Sequence, residues 1–86
     1  DILERKLGMN EIVERRIKMR PSEVRDFVAI ATKCDFDIDI SYNRYTIDAK
    51  SIVGVLGLDF TKLLTVRYNG YNEEFECFLK RLSCAS

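Results

Sequence analysis

At 86 residues and 10.0 kDa the chain holds one domain, and a domain of this size buries only roughly 60% of the surface its unfolded form exposes. Hydrophobic residues at 47% and charged residues at 33% describe a folded soluble domain rather than a disordered chain, and 14 basic against 14 acidic residues give no indication of a general affinity for nucleic acid or anionic lipid. Histidine is absent, which removes the usual acid–base group near neutral pH, the His–Ser and His–Cys dyads and most zinc chemistry.

The first residues, DILERKLGMN, alternate charged with apolar groups and do not read as a signal peptide. Met9 can serve as a native start, so 1–10 are read as an N-terminal extension or cloning remnant and 11–86 as the domain. No apolar run reaches the ~18–20 residues of a membrane span. The cysteines, Cys34, Cys77 and Cys84, are odd in number and form no CxxC, which predicts buried or half-buried free thiols in a reducing cytoplasm.

Residues 11–18, EIVERRIK, predict a strand with imperfect alternation. Pro21 suits the first turn of a helix over about 21–33, whose apolar face is Val24, Phe27, Val28 and Ala31. Residues 35–42 alternate strictly, with Phe36, Ile38, Ile40 and Tyr42 on one side and Asp35, Asp37, Asp39 and Ser41 on the other, as expected of a strand buried on one face. A two-residue turn at Asn43-Arg44 would set Tyr42 against Tyr45 and Ile40 against Ile47, although Arg is poorly suited to a positive φ. Ser51 is a natural N-cap for a short helix ending near Gly57. Ile52, Val53, Val55 and Leu56 spread over about 160° of that helix, wider than the ~100° stripe a core requires, so part of this apolar surface is expected to be exposed. Leu64, Val66 and Tyr68 alternate with Thr65 and Arg67 in a last strand. Asn69-Gly70 then turns the chain into a helix over about 72–83, with Phe75, Phe78, Leu79 and Leu82 inward and its charges matched to the helix dipole. The order βαββαβα, with one polar face per strand, predicts an α+β open-faced two-layer sandwich: a four-stranded antiparallel sheet with three helices on one face.

Two segments resemble the HPr family, the small phosphocarrier proteins of the bacterial sugar phosphotransferase system. Lys50-Ser51-Ile52-Val53-Gly54-Val55-Leu56-Gly57-Leu58 is similar to that family's second-helix motif, and Arg20-Pro21 to the dipeptide closing its active-site motif. The stretch from Cys34 to Lys50 adds a weaker likeness, and the whole spans about 11–83. The resemblance implies an HPr-like fold, and a phosphoryl-accepting histidine two residues before the Arg; Lys18 stands there instead. A lysine ammonium has no free lone pair near neutral pH, so phosphoryl relay is not expected and the chain is read as a non-enzyme. The resemblance further implies that Ser51 is the target of an HPr kinase/phosphorylase-like kinase. Ile52, Val53 and Leu56 would then contact partners such as that kinase, phosphotransferase-system enzymes or a transcriptional regulator. Histidine-lacking relatives of this kind serve in regulation, and a cytoplasmic bacterial location follows from the likeness. Phosphate at Ser51 would meet a helix N-terminus, with Lys50 beside it. Capping alone also accounts for Ser51, and core packing for Val53 and Leu56.

The rival reading rests on charge. Residues 15–25 hold Arg15, Arg16, Lys18, Arg20 and Arg25 against Glu23 alone, so Lys18 and Arg20 are candidate ligands for an anion, or for nucleic acid, at the mouth of the first helix. No aromatic residues interleave with them to stack bases. The row Asp35, Asp37, Asp39 lacks the glycine and bidentate glutamate of a calcium loop and is read as a solvated sheet face; neither a metal nor a cofactor is expected.

Overall fold

The computed structural model describes residues 12–83; the expected extension 1–10, and Cys84, lie outside these. The elements are β1 (Val13–Ile17), a 3-10 turn (Pro21–Glu23) running into α1 (Val24–Lys33), β2 (Ile38–Tyr42), β3 (Tyr45–Asp48), α2 (Ile52–Leu56), β4 (Leu64–Tyr68) and α3 (Glu73–Ser83). The four strands form one antiparallel sheet in the order β1-β4-β2-β3. The three helices cover one face, as the alternation predicts.

The core lies between the layers. Ile17, Ile38, Ile40, Leu64 and Val66 project from the sheet, and Val24, Phe27, Val55, Phe75 and Leu79 from the helices; all are fully buried. Burying each such side chain contributes about 1.5–3 kcal/mol. Phe27 joins α1 to α3, with its ring 6.2 Å from Phe75 and 6.3 Å from Phe78. Phe75 in turn meets Tyr68 of β4 edge-on at 5.1 Å.

The hairpin has the expected register, Tyr42 opposite Tyr45 and Ile40 opposite Ile47. Among the described residues, Asn43 is the one non-glycine residue with positive φ, at 52°, so Arg44 escapes the strain expected of it. Two boundaries differ from expectation. β1 is shorter than 11–18, and its broken alternation has a cause: Arg15 shares the helix-side face with its cross-strand partner Val66 and reaches over the sheet edge to α3. β2 begins at Ile38 rather than residue 35. Before it, Phe36 stacks on Tyr68 at 5.8 Å and lies against Gly70, where a Cβ would fall 2.3 Å from the ring. The chain there follows that contact instead of the sheet ladder.

The cysteines split. Cys34 is buried, its thiol donating to the Ile30 carbonyl at 3.5 Å, and burial pushes its pKa up. Cys77 is exposed, contrary to the expectation of a buried or half-buried thiol, because it falls on the solvent side of α3 between the inward Phe75 and Phe78. Among the described residues no helix is long and apolar enough to cross a membrane.

Candidate functional site

The chain leaves β3 through a turn that Asp48 builds. Its carboxylate accepts the Lys50 N–H at 2.9 Å and its carbonyl the Ser51 N–H at 3.0 Å, while the Ala49 N–H returns to the Ile38 carbonyl. Ser51 is extended and exposed, and its Oγ accepts the Gly54 N–H at 3.3 Å, which makes it the N-cap that the sequence predicts. α2 runs tight against β3: a Cβ on Gly54 would lie 2.6 Å from Ile47 Cγ2. In five residues only Val55 reaches the core. Ile52 at 40%, Leu56 at 54% and Val53 at 80% remain exposed, so the wide apolar arc does overflow the core. Ile52 and Leu56 also line a shallow cleft of about 330 Å³ with Pro21, Val24, Arg25 and Asp26, which joins the entrance of α1 to the side of α2.

Two parts of the sequence expectation for Ser51 change. Lys50 does not stand ready beside the hydroxyl; its ammonium donates to the Cys34 carbonyl at 3.0 Å and ties the hairpin to the end of α1. A helix of five residues also has few aligned peptide dipoles to favour a phosphate. Added charge at Ser51 would therefore be weakly compensated and felt by the apolar residues next to it.

The basic stretch is divided by the fold. Arg15 pairs with Glu76 at 3.0 Å and donates to the Tyr68 hydroxyl at 3.4 Å. Arg20 pairs with Glu23 at 3.5 Å. The Glu23 carboxylate also accepts the Arg20 N–H at 2.8 Å, and the Glu23 N–H returns to the Arg20 carbonyl at 2.8 Å. The mouth of α1 thus carries its own carboxylate, and the Arg20 and Glu23 N–H groups are both bonded within the turn. Lys18 is exposed, in the loop between β1 and the 3-10 turn. It shares a cavity of about 350 Å³ with Arg20 and, from α3, Arg81. Arg81 and the Phe60 beside it were not singled out from sequence. Arg81 reads there as a helix-dipole charge, and nothing in the local pattern points from residue 81 to residue 18.

On the outer face of the sheet Asp39 lies opposite Arg67, which binds Glu14 at 2.6 Å. Among the described residues no group of three or more His, Cys, Asp or Glu side chains comes together as a metal site.

No family model and no curated protein matches the chain. A solved structure does: the phosphocarrier protein HPr from Bacillus anthracis str. Ames is 27% identical, with a TM-score of 0.60, over 87% of this chain and 96% of that one. The fold is HPr-like. In this HPr-like frame Ser51 and its exposed apolar neighbours lie at the start of the second helix, and Lys18 with Arg20 before the first.

Proposed function

We propose that this chain is a regulatory protein-binding module on an HPr-like fold, without phosphocarrier activity and switched by phosphorylation of Ser51. The observation that carries the reading is the exposed Ser51 hydroxyl next to uncovered Ile52, Val53 and Leu56. A phosphate adds about −1.5 to −2 charges. Placed beside an apolar contact surface, it repels a partner that buries that surface and recruits one that offers arginine, without refolding the domain. The partners are an HPr kinase/phosphorylase-like kinase together with a transcriptional regulator or phosphotransferase-system enzyme, in a cytoplasmic setting. The sequence supports the loss of relay chemistry, since it has no histidine and Lys18 stands where the family likeness expects one.

Incubation with an HPr kinase-type enzyme and ATP is expected to add one phosphate, detected by mass, and Ser51→Ala to abolish it. No mass shift with a kinase active on its own substrate would count against the switch. Labelled phosphoenolpyruvate with the first phosphotransferase enzyme is expected to leave the chain unlabelled. The nucleic-acid reading loses support from the pairing of Arg15 with Glu76 and of Arg20 with Glu23, which breaks up the basic track that phosphate-backbone binding requires.

A further inference from the structure

The sheet ends in β1 on one side and β3 on the other, and the two edges are guarded differently. β1 carries charge along its length, at Glu14, Arg15 and Arg16, which discourages a further strand from pairing with it. β3 presents Tyr45, Thr46 and Ile47, uncharged residues of high strand propensity in an unbroken register. Its ladder fixes which backbone groups are open. The Ala49 N–H bonds to the Ile38 carbonyl, so Ile47 and Tyr45, two and four residues earlier, also turn theirs toward β2. Thr46 and Asp48 turn theirs outward. The Asp48 carbonyl accepts the Ser51 N–H, which leaves the Thr46 N–H and carbonyl and the Asp48 N–H along the open edge.

Charge at the two ends of β3 is unbalanced. Asp48 lies directly opposite Asp39, and like charges so placed destabilise a sheet. Arg67, across from Asp39 on the other side, is held by Glu14. At the hairpin tip Arg44 is exposed and makes no ion pair with a described residue. Tyr45, on the helix side, is 62% exposed, and Ile47 on the same face is half-buried.

We propose that β3 pairs with β3 of a second copy, antiparallel about a two-fold axis at Thr46, joining the two sheets into one. Thr46 then lies opposite Thr46, their N–H and carbonyl groups exchange hydrogen bonds, and the Asp48 N–H faces the Arg44 carbonyl of the other copy. Arg44 of each copy stands beside Asp48 of the other and supplies the cation that the Asp39–Asp48 pair lacks. Tyr45 covers Ile47 of the other copy. An axis at Ile47 sets Arg44 against Lys50, an axis at Asp48 sets that carboxylate against itself, and an axis at Tyr45 parts Arg44 from Asp48, so charge selects Thr46. A contact through one short strand is small, below about 1,200 Å², and the dimer is expected to be weak, half-formed at roughly 0.1–1 mM. It does not depend on Ser51.

The test is sedimentation equilibrium and amide hydrogen exchange on the full chain, under reducing conditions, at about 0.02 and about 2 mM. The mean mass is expected to rise from one chain toward two. The Thr46 and Asp48 amides should exchange more slowly at the higher concentration, while those of Tyr45 and Ile47 stay protected at both. Thr46→Lys, which sets two ammonium groups across the axis, is expected to leave one chain throughout. Arg44→Glu should weaken the dimer at least about tenfold and Arg44→Lys by no more than about threefold, with amide spectra outside the hairpin unchanged. A chain that stays monomeric at the higher concentration would overturn the proposal. So would a dimer undiminished in Thr46→Lys or Arg44→Glu, which places self-association elsewhere. Slow Thr46 exchange in the dilute monomer would overturn it too, since the edge would then be covered by the chain itself.

Discussion

α2 and α3 lie on the same side of one sheet and are held in opposite ways. α3 sends four buried side chains into the core and adds a polar lock: Tyr68 donates to Glu76 at 2.6 Å, and Arg15 closes on the other carboxylate oxygen at 3.0 Å. α2 sends in Val55 alone, leans on β3 across a glycine and leaves its other apolar side chains in solvent. Helix α3 is thus bound into the core, while α2 presents a surface. If that is correct, substitutions in α3 should cost stability and substitutions in α2 should cost recognition.

The largest effect is expected at Phe75, whose ring meets both Phe27 and Tyr68. Phe75→Ala should lower unfolding free energy by about 3–5 kcal/mol in urea denaturation. That is a large share of the total for so small a domain. A loss near 1 kcal/mol would mean that α3 is not the anchor.

Next comes the lock itself. Burial, then the bond to Glu76, raises the Tyr68 pKa from 10.0 to about 12. An unfolded tyrosine gives up its proton near 10, while the folded one keeps it to about 12. The contribution is therefore complete below pH 10 and declines as the pH rises through about 12. Tyr68→Phe should cost about 1–3 kcal/mol at neutral pH and lose less stability between these two values than the parent. Parallel denaturation curves on both sides of that window check it, and an identical alkaline decline in the variant would remove Tyr68 from the lock.

Gly54→Ala probes how α2 is seated. The new Cβ would meet Ile47 Cγ2 at 2.6 Å, and the end of a packed β-branched side chain has little room to move. Overpacking of about 1–3 kcal/mol should exceed the ~1 kcal/mol gained in helix propensity, leaving a net loss in thermal or urea unfolding. Ser51→Ala removes the cap at a smaller cost, about 0.5–1 kcal/mol. Ser51→Asp keeps an acceptor for the Gly54 N–H and should come closer to the parent in stability while mimicking the charge of the switch.

The difference between the two helices also marks what could be read from residues in order. Both apolar faces followed from spacing, and so did the excess on α2, because hydrophobic period is a local property. The hairpin register at Ile40 and Ile47 was legible for the same reason. The lock was not: Arg15 looked like one of a run of cations, and its partner Glu76 lies at the other end of the chain. Lys50, expected beside Ser51, ties back to the Cys34 carbonyl instead. Long side chains reach past their own element, so sequence neighbours do not say where their charges end up. Phe36 shows the converse, with strand alternation intact in residues that a contact to Gly70 draws out of the ladder.

The smallest expected change in stability, at Val53, separates the two helices most sharply. Its side chain is 80% exposed, so Val53→Ser should move unfolding free energy by no more than about 0.5 kcal/mol. On the proposed function the same substitution removes part of the surface that a kinase must bury to reach Ser51. The catalytic efficiency of Ser51 phosphorylation should fall about tenfold, equivalent to about 1.4 kcal/mol of binding. A variant as stable as the parent and phosphorylated just as fast would leave Val53 an ordinary exposed valine, and the docking surface would contract to Ile52 and Leu56 along the α1 cleft.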